Sequence, residues 1–217
     1  SGKLDSLPKD FDLREMDIRD PDVRHVISEI NPDLTFHLAA QISVTVSTRQ
    51  PQFDAEVNIG GALNIIEGIR ALEDKDKKFI YITSGGTVYG EPEVIPVDES
   101  TAAKPLSPYG ASKLAVETYL PIYEKLSALD YTIIRLANVY GPRQDPHGEA
   151  GVVAIFTQAM LGGRSPNIFG DGGDKRDYVF VGDVVEAIVM ASESELSGPF
   201  NVGTGIGTST SKIFEII

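Results

Sequence analysis

The chain has 217 residues, a length typical of one large domain, and 41% of them are hydrophobic, which is enough for a packed core. Its 32 acidic against 19 basic residues give a formal charge of −13, and such a surface repels nucleic acid, so we predict no nucleic-acid partner. The lack of cysteine excludes disulfides, thiolate metal ligands and thiol catalysis, and we predict no metal site. Because we recognise no membrane-spanning apolar run and no signal peptide, we predict a cytoplasmic protein without a membrane partner.

Short apolar strands alternate with helical patterns along the first part of the chain. Asp20 is expected to cap the first helix, with Pro21 at its first position. Strands that are apolar on both faces and are separated by helices predict an α/β fold with a parallel sheet covered on both sides. The predicted elements are a helix at 20–30, a strand at 34–38, a helix at 52–72, a strand at 78–83, a helix at 108–129 and a strand at 131–136.

The composition changes after Asn138, where glycine- and proline-rich turns become frequent. Asp183 is expected to cap a helix. The three glycines at 203–207 follow a strand, but their spacing does not match a dinucleotide-binding turn, so we predict a tight turn there. The remaining predicted elements are a helix at 151–161, a strand at 178–181, a helix at 183–191, a strand at 199–202 and a helix at 211–217.

The helix at 108–129 carries the first candidate for chemistry. Ser107 suits an N-cap and Pro108 the first helical position, so Tyr109 and Lys113 lie four residues apart on one face. An ammonium group and the positive end of the helix dipole both favour the phenolate, so we predict a lowered pKa for Tyr109 and proton exchange near neutral pH. The alternative is an ordinary solvated helix surface, since this pattern is common by chance.

Small and polar residues follow three of the predicted strands, at 37–40, 83–86 and 137–138. The carboxyl ends of parallel strands meet at one edge of a sheet, where ligands bind in open α/β folds. We therefore expect these ends and the helix of Tyr109 to form one crevice. The alternative is a set of ordinary strand-to-helix turns.

Eight stretches occur in one order over nearly the whole chain and together resemble the extended short-chain dehydrogenase/reductase family, in particular its sugar-nucleotide 4-epimerases. They are Asp-Ile-Arg-Asp at 17–20, His-Leu-Ala-Ala at 37–40, Asn-Ile-Gly-Gly-Ala-Leu-Asn at 58–64, Ser-Gly-Gly-Thr-Val-Tyr-Gly at 84–90, Ser-Pro-Tyr-Gly-Ala-Ser-Lys at 107–113, Arg-Leu-Ala-Asn-Val-Tyr-Gly-Pro-Arg at 135–143, Arg-Asp-Tyr-Val-Phe-Val at 176–181 and Asn-Val-Gly at 201–203.

The resemblance implies a Rossmann-like doubly wound sheet and a smaller substrate-binding lobe. The NAD-binding domain would comprise 1–143, rejoined by about 177–202, and the partial lobe would comprise 144–176 and 203–217. The family's glycine-rich pyrophosphate turn and first strand and helix are not recognised in this sequence. We therefore expect residues 1–217 alone to bind NAD weakly or not at all and to lack measurable turnover. We also expect them to be poorly stable as a monomer unless another segment or subunit covers the gap.

The resemblance also implies a role for each matching residue, with NAD as cofactor and a UDP-sugar as substrate. Tyr109 would take a proton from the sugar 4-hydroxyl, Lys113 would hold the nicotinamide ribose, and Ser84 would bind the reacting oxygen. Because the serine stretch is one residue longer than in many members, Thr83 is an alternative to Ser84. The other implied cofactor contacts are Asp17 and Ile18 at the adenine, with Leu38, Ala39, Ala40, Asn58 and Val139; the other implied substrate contacts are Asn138 and Arg176 at the diphosphate, with Val153 and Phe169.

Two of these assignments have ordinary structural alternatives. Asn58, expected to support the site behind Lys113, could be a plain polar residue of a helix. Arg176 suits a phosphate because its fork bonds bidentately, but it could instead form a surface ion pair with Asp174 or Asp177.

The residues after Ser84 favour one reaction among those of the family. Dehydratases of the family have an Asp and a Glu at this place and decarboxylases usually have a Glu nearby, whereas this chain has Gly85 and Gly86. We therefore predict 4-epimerisation of a UDP-glucose/UDP-galactose type of substrate, in which the cofactor is regenerated in each cycle. The alternatives are a dehydrogenase or dehydratase of the same family and a truncated, non-catalytic binding fragment. The resemblance implies a homodimer through the helices at 52–72 and 109–129.

Overall fold

The computed structural model of the protein describes residues 7–8, 10–73, 76–147 and 151–217. The helices are α1 (Val23–Ile30), α2 (Val44–Arg49), α3 (Pro51–Ala55), α4 (Ala62–Arg70), α5 (Gly85–Val88), α6 (Pro108–Ser127), α7 (Val152–Leu161), α8 (Val181–Glu193) and α9 (Thr210–Ile216). The strands are β1 (Leu34–His37), β2 (Lys78–Ser84), β3 (Asp130–Leu136), β4 (Asn138–Tyr140), β5 (Lys175–Phe180), β6 (Gly198–Val202) and β7 (Gly207–Ser209).

The main sheet has the order β1-β2-β3-β6 and all of its pairs are parallel, so the predicted α/β fold with a parallel sheet is confirmed. A smaller sheet has the order β4-β5-β7, in which β5 runs parallel to β4 and antiparallel to β7. In the main sheet Thr83, Arg135 and Asn201 are register partners on adjacent strands. Since register partners in a parallel sheet share a face, these three side chains form a row across it.

Helices cover both faces of the main sheet. On one face α6 lies against β2 and β3 and, with α1 and α4, closes a core that contains Ile66, Phe79, Val116 and Leu120. On the other face α8 contacts the same two strands. The apolar residues on both faces of β2 and β3 therefore have helices to pack against, and the carboxyl ends of the strands are held at one edge. No helix in the described ranges is long and apolar enough to cross a membrane.

The helix predicted at 52–72 is more complex in the structure. Helical structure runs from Pro51 to Arg70, and residues Glu56–Gly61 form a π-helical segment between α3 and α4. A Cβ atom on Gly61 would lie 2.5 Å from Cδ1 of Ile18, so glycine allows Ile18 to approach the helix. The preceding α2 was not predicted, although Ser43 caps it by accepting a hydrogen bond of 2.9 Å from the Val46 amide.

Two predicted helix starts are wrong. The first helix begins at Val23, because the Asp20 carboxylate accepts from the Asp22 amide at 3.0 Å and so stabilises a turn that precedes it. The later helix begins at Val181 with Phe180 as N-cap, so Asp183 lies in its first turn. Its strand, β5, starts earlier than predicted because residues 175–177 pair with β7. The turn predicted at 203–207 corresponds to the link at 203–206 between β6 and β7, and Gly207 is the first residue of β7.

Candidate active site

The start of α6 follows the sequence prediction. The Ser107 side chain accepts a hydrogen bond of 3.1 Å from the Gly110 amide, and Pro108 is the first helical residue. A Cβ atom on Gly110 would lie 2.6 Å from the Thr87 carbonyl oxygen, so the first turn of α6 lies directly against α5. This contact fixes Tyr109, which is half-buried, beside the carboxyl end of β2.

Lys113 lies one turn further along α6 and is only 3% exposed. Its Nζ atom lies 4.4 Å from the centre of the Tyr81 ring, a cation–π geometry, and the Tyr81 hydroxyl donates to the Lys113 carbonyl at 3.4 Å. Tyr81 in turn stacks on His37, with 5.9 Å between the ring centres. Burial lowers the pKa of Lys113 to about 8, although the carboxylates of Glu117 and Asp54 oppose this shift.

The predicted lowering of the Tyr109 pKa is wrong for this structure. Burial raises the pKa of Tyr109 to about 12, and the Asp54 carboxylate acts in the same direction. The sequence shows the nearby lysine and the helix dipole, but it does not show the desolvation of the phenol or the carboxylate brought in by α3. At neutral pH Tyr109 is therefore a phenol that can donate a proton.

Asn58 is the centre of a buried polar network, and its own exposure is 2%. Its Nδ2 donates to Ser112 Oγ and to Asp54 Oδ1, both at 3.1 Å, and its Oδ1 accepts from the Gln41 amide at 2.8 Å. Gln41 Nε2 donates to the same Asp54 oxygen at 2.7 Å. Asn58 thus holds the residue next to Lys113 and ties α6 to the loop after β1. Sequence analysis missed Asp54 and Gln41, although Asp54 lies four residues before Asn58.

A cleft of about 390 Å³ opens beyond the carboxyl ends of β2, β3 and β6. Asn138 and Arg176, both predicted to bind substrate, lie in its wall, together with Lys175, which was not predicted. The sequence predicted that the end of β1 would line the cleft, but it lies outside the wall. The end of β6 lines the cleft instead. The other lining residues from strand ends are Gly85, Gly86, Ala137, Asn201, Val202 and Gly203.

The Arg176 guanidinium is exposed and donates to the Lys175 carbonyl at 2.8 Å. Among the described residues it forms no ion pair with Asp174 or Asp177, the alternative that the sequence left open. The Asp177 carboxylate is instead occupied by the amides of Thr204 and Gly205, at 2.9 and 2.8 Å. The cleft therefore presents an arginine whose charge is available to an anionic ligand.

A second cluster that sequence analysis missed lies at the floor of the cleft. Arg135 is buried, forms an ion pair with the buried Glu117 and donates to the Tyr89 hydroxyl, which donates to Asn201. An arginine inside an otherwise apolar strand was the signal that could have found it, because buried charge requires a partner.

Several predicted site residues lie outside the wall of this cleft, Tyr109 and Lys113 of α6 among them, so the single crevice predicted from the sequence is not seen among the residues that the structure describes. Ser84 is half-buried at the last position of β2, while Thr83 is buried and its Oγ1 has no hydrogen-bond partner in the described structure. Phe169 is 90% exposed. Val139 and Val153 are half-buried in β4 and α7, and the segment after β1 leaves Leu38 and Ala39 exposed and Ala40 half-buried.

Asp17 lies in a separate open cleft of about 700 Å³, together with Asn64, Gly60 and Glu56. Hydrogen bonds from the Arg19 guanidinium lower the pKa of Asp17 to about 2. The Ile18 carbonyl accepts from Asn64 Nδ2 at 3.1 Å. The residues that line this cleft are mostly polar or charged, and the half-buried Ile18 lies outside its lining. No group of three or more metal-ligating side chains occurs in the described part of the chain.

Comparison with known proteins agrees with the motifs. The profile of the family described as GDP-mannose 4,6 dehydratase matches residues 2–217. A UDP-glucose 4-epimerase of Mycolicibacterium smegmatis is 50% identical over 208 residues, which are 95% of this chain and 66% of the relative. A putative UDP-glucose 4-epimerase of Methanocaldococcus jannaschii is 44% identical over 219 residues, which are 100% of this chain and 70% of the relative. The chain thus spans about two thirds of the length of these relatives.

Solved structures agree with the fold. UDP-glucose 4-epimerase of Thermotoga maritima, crystallised with UDP-glucose, superposes with a TM-score of 0.95 at 45% identity, covering 100% of this chain and 70% of that one. UDP-glucose 4-epimerase of Thermus thermophilus, crystallised with NAD, gives a TM-score of 0.92 at 43% identity, covering 99% and 70%. The chain therefore belongs to the family described as GDP-mannose 4,6 dehydratase, within the extended short-chain dehydrogenases whose motifs it carries.

Proposed function

We propose that the intact protein catalyses the NAD-dependent 4-epimerisation of a UDP-sugar of the UDP-glucose/UDP-galactose type. The observation that carries the proposal is the Tyr109–Lys113 pair at the start of α6, which packs against α5 through Gly110 and Thr87. Gly85 and Gly86 of α5 line the cleft that also contains Asn138 and Arg176. The identity of 44–50% to proteins named UDP-glucose 4-epimerase supports the choice of substrate.

Tyr109 is proposed as the acid/base. As the phenolate it takes the proton of the sugar 4-hydroxyl when the hydride leaves C4, and as the phenol it returns that proton when the hydride comes back. Because burial raises its pKa to about 12, the phenolate has to be favoured during the reaction, and the Lys113 ammonium one helical turn away is a cation that can do so. Ser84, or Thr83 with its unpartnered buried hydroxyl, is proposed to bind the reacting oxygen. NAD, when bound, supplies the hydride acceptor. Lys113 is proposed to hold its ribose hydroxyls from the base of the site, with Asn58 fixing the neighbouring turn of α6.

Of the remaining ligand contacts, Asp17, Asn138 and Arg176 are assigned according to which of the two clefts each residue lines. Asp17 and Ile18 are proposed at the adenine, because Asp17 supplies a carboxylate to its open cleft and the half-buried Ile18 follows it in the chain. Arg176 and Asn138 are proposed at the diphosphate of the substrate, and Lys175 adds a second cation to that end. The other proposed contacts are Leu38, Ala39, Ala40 and Val139 for the cofactor and Val153 and Phe169 for the substrate.

The scarcity of acidic residues in the lining of the cleft favours epimerisation over dehydration. Among its described lining residues Asp177 is the sole carboxylate, and it is occupied by the turn at 204–205. Gly85 and Gly86 supply no acid or base. A reaction that moves only a hydride and one proton therefore suits the site better than one that also removes water.

Incubation of the intact protein with UDP-glucose and catalytic NAD, followed by proton NMR, tests the proposal. Epimerisation predicts UDP-galactose at equilibrium without accumulated reduced cofactor. A dehydrogenase would accumulate reduced cofactor, a dehydratase would form a 4-keto-6-deoxy sugar, and a non-catalytic binding protein would form no product. Any of these three outcomes would contradict the proposed reaction.

We also propose a cytoplasmic homodimer. Support for the dimer comes from the exposed apolar side chains of α6, where Ile122 is 48% and Leu126 is 66% exposed. Sedimentation of the intact protein and of Ile122→Asp tests this: we expect a dimer that the charge disrupts. A monomeric wild type would contradict it.

A further inference from the structure

The Tyr89 hydroxyl is the meeting point of two hydrogen bonds at the floor of the cleft. It accepts from Arg135 Nη1 at 2.8 Å and donates to Asn201 Oδ1 at 2.8 Å. The Tyr89 ring is 3% exposed and lies 4.9 Å from the Arg135 guanidinium carbon. Because the ring is buried and the hydroxyl is bonded on both sides, the orientation of Tyr89 is fixed.

On one side this hydroxyl is connected to the helix of Tyr109 and Lys113. Arg135 Nε and Nη2 donate to Glu117 Oε2 at 3.0 and 2.5 Å, and both side chains are buried. Glu117 lies one turn beyond Lys113 on α6. Breaking a buried charge pair is costly, so the distance between α6 and β3 is firmly held.

On the other side the hydroxyl is connected to the far wall of the cleft. Asn201 lies on β6, in register with Arg135, and its Nδ2 donates to the Val97 carbonyl at 3.2 Å. The Asn201 amide donates to Glu99 Oε1 at 2.7 Å. Val97 lines the cleft, so Asn201 anchors the loop that forms this wall.

We propose that Tyr89 is a positioning residue, whose hydroxyl sets the floor and far wall of the cleft at a fixed distance from Tyr109 and Lys113. The proposal rests on the proposed epimerase function. A bound substrate would contact the cleft while it reacts at Tyr109, so a loosened connection misaligns the reacting atoms although binding persists. Misplacement on the order of 1 Å is enough to slow an enzyme strongly.

Tyr89→Phe, made in the intact protein, tests the role because it removes one oxygen and keeps the buried ring. We expect kcat to fall about tenfold, KM to change by less than about threefold, and the pH profile to keep its shape. The matched control is Tyr123→Phe on α6, where the hydroxyl donates to Glu67 Oε1 at 2.6 Å and lies outside the lining of the cleft. The control should lower thermal stability and leave kcat unchanged.

A second variant tests the route of the connection. If Tyr89 acts through Asn201, Tyr89→Phe should lower kcat by a smaller factor in the Asn201→Ala variant than in the wild type. The proposal would be overturned if Tyr89→Phe lowered kcat equally in the two backgrounds or left kcat unchanged in the wild type. A displaced pH profile would also overturn it, because Tyr89 would then act as a proton donor. An inactive wild type would instead overturn the proposed function.

Discussion

The two ends of the candidate site differ in how their polar groups are satisfied. At the α6 end, Lys113 and Asn58 are buried, and Asn58 bonds to three other elements of the chain. At the cleft end, Lys175 and Arg176 are exposed, and within the described part of the chain the hydrogen bond of the Arg176 side chain goes to the neighbouring Lys175 carbonyl. One end is held by the fold itself, and the other offers charge that a ligand can use.

This difference follows from what each end is proposed to do. Proton transfer requires fixed distances, which burial and hydrogen bonds between buried side chains provide. A diphosphate is flexible and highly charged, and an exposed guanidinium can bond to it without the desolvation cost of a buried one. Substitutions at the α6 end should therefore change turnover or stability, and substitutions of the exposed cations at the cleft end should change affinity.

Tyr109→Phe should have the largest effect. Loss of the phenolic proton should lower turnover of UDP-glucose by at least ~100-fold, the usual scale for a general acid/base. Affinity for UDP, measured by calorimetry, should change little because the cleft is intact. Full turnover in the variant would remove Tyr109 from the mechanism.

Asn58→Ala should destabilise the fold by about 2–4 kcal/mol, because it leaves the Gln41 amide and other buried partners unsatisfied. Urea unfolding measures this loss. The matched control is Asn64→Ala on the same helical run, where the half-buried side chain bonds to the carbonyls of Ile18 and Arg19. The free energy of unfolding of the control should fall by about 1 kcal/mol. Similar decreases in the two variants would contradict the central place of Asn58 in the network.

His37 should make the α6 end sensitive to acid. Burial lowers the pKa of His37 from 6.5 to about 3, with the Lys113 charge contributing. The unfolded chain therefore binds a proton that the folded one does not, so this stabilisation is present above about pH 6.5 and is lost as the pH falls toward 3.

Between pH 7 and pH 5 the protonation of His37 in the unfolded chain should lower the free energy of unfolding by about 2 kcal/mol. His37→Phe keeps the aromatic stacking on Phe79 and Tyr81 and should remove this part of the pH dependence in urea unfolding. The control His25→Gln changes a side chain that is 76% exposed on α1 and should behave as wild type. Equal pH dependence in wild type and His37→Phe would contradict the burial argument.

Arg176→Ala should have the smallest effect, about tenfold weaker UDP binding by calorimetry, which is the scale of an exposed charge-assisted contact. Turnover at saturating substrate should be nearly unchanged. Arg70→Ala, which removes an arginine paired with Glu67 on α4, is the control for loss of charge. Unchanged UDP affinity in Arg176→Ala would remove it from the substrate site.

Local signals in the sequence predicted much of this arrangement. The apolar runs predicted the strands, and Ser107 with Pro108 predicted the start of α6, because caps act over a few residues. The raised pKa of Tyr109 and the Arg135–Tyr89–Asn201 connection depend on residues far apart in the chain. Asp20 and Asp183 show a further limit, since an aspartate that suits a cap can equally stabilise a preceding turn or lie in the first turn.

Hydrogen–deuterium exchange of the intact protein, with and without UDP, tests most directly whether the α6 end is ordered by the fold and the cleft end by the ligand. We expect increased protection at 175–177 and 203–207, which line the exposed end of the cleft, and no change at 54–58 and 109–117, where buried side chains are already hydrogen-bonded to one another. Protection that increased mainly at 109–117 would contradict it, because the α6 end would then be ordered by the ligand rather than by the fold.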